Sequence, residues 1–183
     1  MHCRAMDGAM GFWCALEEVY PESRQQRCWQ HKTMNVLNCL PKLSQPKAKA
    51  AIHDIWQAET KDDAQTAFDL FIKTYEPKYP KAALCLQKDR QELMAFFDFP
   101  AQHWQSIRTS NPIESAFATI RHRTKRSKGC LSRDAMLHMM FKLGQCAEQN
   151  WRRLRGFDYL AKVITGVTFK DGIEITKPSQ IAA

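Results

Sequence analysis

Between Lys42 and Ile107 the chain shows helical periodicity with no strand pattern anywhere in it, and this stretch limits the fold more than any other. Ser44 and Pro46 open a first helix, with Ala51, Ile52, Ile55 and Trp56 on one face. Thr60-Lys-Asp-Asp63 opens a second, with Ala64, Ala67, Phe68, Phe71 and Tyr75 turned inward until Pro77 and Pro80 break it. A third pattern carries Leu84, Leu86, Leu93, Met94, Phe96 and Phe97, and a short fourth runs from Pro100 through Trp104 to Ile107. The expectation is an all-helical block over residues 42–107. His53 and His103 read as packing residues. Trp104 reads either as core or as a ring able to stack on an unpaired base.

The segment before the block has a different character. A semi-apolar run reaches Asp7-Gly8, and Phe12, Trp13, Leu16, Val19 and Tyr20 then recur at helical spacing. This suggests a strand end, a tight turn and a helix. Asp7 is either the acidic residue at the carboxyl end of a strand, where α/β folds place ligands, or an ordinary Asp-Gly turn residue. Arg24 to Trp29 is expected to form a second short strand, and Lys32 to Leu40 a helix ending at Pro41. Cys28-x-x-His31 is half of a metal site without a second half at zinc spacing, so a structural role is expected for it.

After the block comes Arg108-Thr-Ser-Asn-Pro-Ile-Glu114. Asn111 can cap a helix, Pro112 suits its first position, and Glu114 lies where the glutamate of a capping box turns back. Phe117 and Ile120 form an apolar stripe, while Arg121, Arg123, Lys125, Arg126 and Lys128 follow within two turns. A carboxylate at the positive end of a helix stays ionised. Glu114 therefore either only caps the helix or holds a divalent cation while the basic turns hold phosphates. Ser132 caps a further helix, with Met136, Met140, Leu143, Ala147, Trp151 and Leu154 in period as far as the basic Arg152-Arg-Leu-Arg155. A short helix from Phe157 to Ile164 leads to a hairpin turning at Asp171-Gly172, and residues 177–183 read as a loose tail.

The net charge of +8 suits a polyanionic partner. Seven widely spaced cysteines without a Cys-x-x-Cys pair indicate neither a disulfide framework nor a complete zinc site, so a reducing cytoplasm is the expected location. No signal peptide and no run of membrane-spanning length is seen.

Three motifs occur in order: Asp7-Gly-Ala-Met-Gly-Phe-Trp13, Arg27-Cys-Trp-Gln-His-Lys32, and Ile107-Arg-Thr-Ser-Asn-Pro-Ile-Glu-Ser115 followed by a basic helix. In these the chain resembles the C-terminal half of a Mutator-type bacterial insertion-sequence transposase of the Asp-Asp-Glu class. The likeness covers nearly everything from Asp7 to about Ile175. It implies a ribonuclease H-like core with an all-helical insertion before the last acidic residue, so the expected fold is mostly α with a small α/β part and a C-terminal β-hairpin. Residues 1–41 would be a partial core, 42–107 the insertion, 108–165 the glutamate helix and the helices completing the core, and 166–183 the hairpin and tail.

The resemblance makes Asp7 and Glu114 catalytic ligands of a two-metal Mg²⁺ or Mn²⁺ centre, and it makes Cys28 and His31 residues that support the active site. The residues expected at DNA are Trp104, Arg108, Asn111, Arg121, Arg123, Lys125, Arg126 and Lys128. The expected partners are transposon ends, target DNA, and a second copy or a full-length transposase, in the bacterial cytoplasm at the nucleoid. Only six residues precede Asp7, so the family's first aspartate is missing and the chain is expected to be a fragment, inactive alone. The alternative is a non-catalytic basic helical protein that binds DNA or inhibits a full-length transposase.

Overall fold

Prolines and capping side chains set the helix boundaries. The computed structural model describes residues 14, 18, 19, 21, 24–126 and 132–175, except the side chains of residues 111, 112, 113, 116 and 119. The described helices are α1 (Trp29–Leu37), α2 (Gln45–Gln57), α3 (Lys61–Tyr75), α4 (Pro80–Gln87), α5 (Arg90–Met94), α6 (Trp104–Ile107), α7 (Asn111–Arg126), α8 (Arg133–Glu148) and α9 (Asp158–Ile164). Two 3-10 turns, Ala95–Asp98 and Ala101–His103, join α5 to α6. The strands β1 (Phe169–Lys170) and β2 (Ile173–Glu174) pair antiparallel, with Phe169 opposite Glu174 and Lys170 opposite Ile173. The described chain is thus mostly helical with one small hairpin.

Capping follows the residue types. The Thr60 hydroxyl accepts the Asp63 N–H at 3.1 Å, and Pro46 and Pro80 sit in the first turns of α2 and α4, where a missing N–H costs nothing. The Ser132 hydroxyl accepts the Ala135 N–H in the same way.

The apolar faces expected of the helical block close on one core. Ile52 and Ile55 of α2, Phe68 and Phe71 of α3, Leu86 of α4, Leu93 of α5, and Phe96 and Phe97 of the first 3-10 turn are buried together. Helix α1 adds Trp29, Val36 and Leu37 to the same core. Each such side chain contributes about 1.5–3 kcal/mol relative to exposure. The Trp29 indole N–H donates to the Leu93 carbonyl at 2.9 Å, so the polar end of the ring is not stranded. Beneath this core lies a charged cluster. Lys32, 1% exposed, pairs with Asp89 and donates to the Cys85 carbonyl at 3.0 Å, while Arg27 Nε lies 3.5 Å from the same Asp89 oxygen.

Several expectations need correction. Residues 24–28 are not a strand: the Arg27 N–H bonds to the Glu92 carbonyl at 3.0 Å, and the side chains of Arg27 and Trp29 are buried. No ladder partner lies alongside among the described residues, and a strand needs one. Helix α1 accordingly starts at Trp29 and ends at Leu37, rather than running from Lys32 to Leu40. The third helical pattern is broken into α4, α5 and a 3-10 turn, and Leu84 faces out at 63% exposure. Helix α8 stops at Glu148, where the Asn150 side-chain amide donates to the Cys146 carbonyl and Trp151 is left exposed, so its period does not continue to Leu154. The strand expected to end at Asp7 lies outside the described residues.

The hairpin forms as read. Asp171 (φ 50°) and Gly172 (φ 80°) both take the left-handed conformation that a tight two-residue turn requires. The turn also docks: the Gly172 N–H donates to the Phe97 carbonyl, the Ala101 N–H donates to the Gly172 carbonyl, and the Asp171 carboxylate accepts the Lys61 N–H at 2.7 Å at the start of α3. A Cβ on Gly172 would lie 2.5 Å from that of Ala101. Among the described residues no helix is long and apolar enough to cross a membrane.

Candidate active site

The starts of α1 and α7 meet. The Trp29 N–H donates to the Arg108 carbonyl at 2.9 Å, which holds the entry to α7 against the first turn of α1. Cys28, in extended conformation, immediately precedes α1, and His31 lies in its first turn. Ser110 immediately precedes α7, and its carbonyl accepts the Glu114 N–H at 3.0 Å. That bond makes Ser110 the cap residue in place of Asn111, whose side chain is not described, and puts Glu114 one position later than a capping box requires.

Four side chains join there. The Ser110 N–H and hydroxyl each lie 3.3 Å from Cys28 Sγ. The same hydroxyl lies 3.3 Å from His31 Nδ1 and bonds to Glu114 Oε1. His31 Nδ1 is 3.2 Å from Cys28 Sγ, and its other nitrogen, Nε2, is 3.4 Å from Glu114 Oε1. One carboxylate oxygen is therefore held from two sides. The described contacts all fall on Oε1, and the carboxylate is about half exposed.

Opposed effects act on the Cys28 thiol. Burial pushes it up, but hydrogen bonds from the Ser110 hydroxyl and the His31 and Ser110 backbone favour the thiolate and leave it below its ordinary value.

The remaining residues expected at a site fall into two groups. Arg121, Arg123, Lys125 and Arg126 are exposed along α7, a basic surface leading away from Glu114. Arg108 and Trp104 are built into the wall of the helical block. The Arg108 guanidinium donates to the Trp56 carbonyl at 2.7 Å and lies over the Trp56 ring, 4.8 Å from its centroid, and burial lowers its pKa. Trp104 stands edge-on to Phe96 and Phe97 and donates its indole N–H to the Phe99 carbonyl. Asp7 and Lys128 lie outside the described residues.

Ser110 is the member that sequence reasoning missed. A serine ahead of a helix is a cap signal in its own right, but its bonds to Cys28 and His31 span the whole helical block. Among the described residues no three His, Cys, Asp or Glu side chains converge where a cation could sit. Within the described cluster Glu114 is the one carboxylate, the hard oxygen donor that Mg²⁺ or Mn²⁺ takes.

Comparison with known proteins bears on this arrangement. Residues 4–153 match the family described as "Transposase, Mutator family". The chain is 55% identical over 167 residues to a transposase for insertion sequence element IST2 of Acidithiobacillus ferrooxidans, covering 91% of this chain and 56% of that protein. It is 46% identical over 175 residues to a transposase for element IS6120 of Mycolicibacterium smegmatis, covering 96% of this chain and 54% of that protein. A transposase for element IS905 of Lactococcus lactis is 32% identical over 120 residues, 66% of this chain and 30% of that protein. The chain spans about half the length of the two most similar of these relatives.

Proposed function

The chain belongs to the Mutator family of transposases, and on that premise we propose that it supplies the glutamate-bearing part of a centre that cuts and rejoins DNA strands at the ends of an insertion sequence. The observation that carries this reading is the Glu114 carboxylate, fixed through one oxygen by Ser110 and His31, at the head of an exposed basic helix. Fixing one oxygen holds the group in place and leaves the other for a ligand.

In this reading Glu114 is one ligand of a divalent metal pair and Asp7 another, within a ribonuclease H-like core that includes residues beyond the described ones. Bound Mg²⁺ or Mn²⁺ would activate the attacking oxygen and stabilise the leaving one. The chain's own residues do three things. Glu114 holds a ligand position, Cys28 and His31 brace it through Ser110, and Arg121, Arg123, Lys125 and Arg126 carry phosphates along α7. Asp89 and Asp98 are engaged in structural ion pairs, Asp89 with Lys32 and Asp98 with Arg24 and Lys61, so neither replaces a catalytic aspartate.

These 183 residues should give no strand cleavage alone. A chimera in which they replace the matching half of the Acidithiobacillus relative should transpose a marked element, and its Glu114→Gln form should not. Cleavage of element-end DNA by the chain alone with Mn²⁺, or a fully active Glu114→Gln chimera, would overturn the reading.

A further inference from the structure

Next to the proposed centre lies a groove of about 790 Å³, walled by α2, α6 and the second 3-10 turn and reaching Arg155 before α9. Its lining contains Trp56, Trp104, Arg108 and Arg155 with several glutamines and, among the described residues, no carboxylate. Gln30 and Thr109 of its lining are chain neighbours of His31 and Ser110, so the groove lies beside the cluster that holds Glu114. We propose that this groove binds a short single-stranded segment of DNA and leads it toward Glu114; this rests on the reading of the chain as part of a DNA strand-transfer enzyme.

The lining chemistry fits that occupant. Two guanidiniums in a lining without a described carboxylate attract a phosphate backbone. Indole rings inside a concave wall meet bases only where the bases are unpaired. Side-chain amides such as those of Gln30, Gln57, Gln102 and Gln105 offer donors and acceptors that are neutral at every pH, suited to base edges as well as phosphates. Two donors at this wall, Trp56 Nε1 and Arg108 Nε, are buried and have no acceptor among the described residues. A strand that displaces the Arg108 side chain from the Trp56 ring would supply one. Arg155 is exposed and, among the described residues, bonds to Gln105 at 3.2 Å, so it can swing to a phosphate at little expense. The basic face of α7 is a separate, convex surface suited to duplex phosphates.

The test uses the 183-residue chain with a fluorescein-labelled oligothymidylate of about ten nucleotides and with a hairpin duplex, read by anisotropy and by tryptophan quenching. Arg155→Glu and Gln57→Glu change exposed side chains and leave the core intact. Each should weaken single-strand binding by about tenfold and abolish the quenching, while duplex binding falls much less. Arg123→Glu should do the reverse. Unchanged single-strand affinity in both groove variants overturns the groove proposal and leaves the function reading standing if the duplex still binds through α7. Failure of both probes to bind overturns the two together.

Discussion

The Ser110 hydroxyl sits 3.3 Å from Cys28 Sγ, although the two residues are 82 positions apart in the chain. That bond closes a ring of contacts through His31 to Glu114, so the position of one carboxylate depends on three side chains of other kinds. Ser110→Ala should lower transposition by the chimera about 10–100-fold, as loss of a supporting partner does at other ligand sites, while stability falls by only about 0.5–1.5 kcal/mol. Ser110→Thr, which keeps the hydroxyl, should recover most of the activity. A Ser110→Ala chimera as active as its parent would show that the ring positions nothing.

The same ring should be visible at Cys28. Its thiol lies below the ordinary value because its hydrogen bonds outweigh burial, whereas burial pushes the Cys85 thiol up. As pH rises, the Cys28 thiolate therefore appears first. In the folded protein, alkylation followed by peptide mass spectrometry should label Cys28 at lower pH than Cys85, and Ser110→Ala should move the Cys28 profile upward. Coincident profiles in the parent would contradict the assignment.

Asp89→Ala should be among the most damaging substitutions in the helical block. Lys32 and Arg27 are both buried and share that carboxylate, so its loss removes the negative charge that the two buried cations face in common. A loss of about 3–5 kcal/mol is expected, read by urea denaturation. Lys32→Met combined with Asp89→Leu should recover much of it, because the neutral pair strands less charge.

Gly172→Ala should destabilise the hairpin for two reasons. The left-handed backbone disfavours a Cβ, and the added methyl would run into Ala101. Since Asp171 caps α3 from this turn, the effect should reach α3, with faster amide exchange at its first turn and a loss of about 1–3 kcal/mol. Asp171→Ala should show the capping share alone, about 0.5–2 kcal/mol. Undisturbed exchange in α3 would mean the hairpin is not coupled to it.

Loss of positive charge along α7 should show as a change in salt dependence. Replacing Arg121, Arg123, Lys125 and Arg126 with glutamine should flatten the plot of log affinity against log salt by about 0.9 for each phosphate contact removed. Anisotropy titrations on duplex DNA over a range of salt measure this slope directly. An unchanged slope would move the duplex surface elsewhere.

Local chemistry along the chain determined the helices, their caps and the hairpin. Thr60 and Ser132 cap because their hydroxyls reach the next turn, and Asp171-Gly172 turns because both residues tolerate left-handed backbone. The apolar face of Ala64, Phe68 and Phe71 is set by spacing alone. The acidic-headed basic helix at Glu114 was also legible, though its cap is Ser110 and not the expected Asn111. What needed tertiary structure was everything that depends on a distant partner. The short run from Arg24 to Trp29 was open to a strand reading, but pairing needs a neighbouring ladder, and the Arg27 N–H found the Glu92 carbonyl instead. Arg108 reads as a free cation and is in fact stacked on Trp56. Ser110 gains its contacts with Cys28 and His31 only when α1 and α7 are brought together, because a hydrogen bond between residues so far apart in the chain has no local signature.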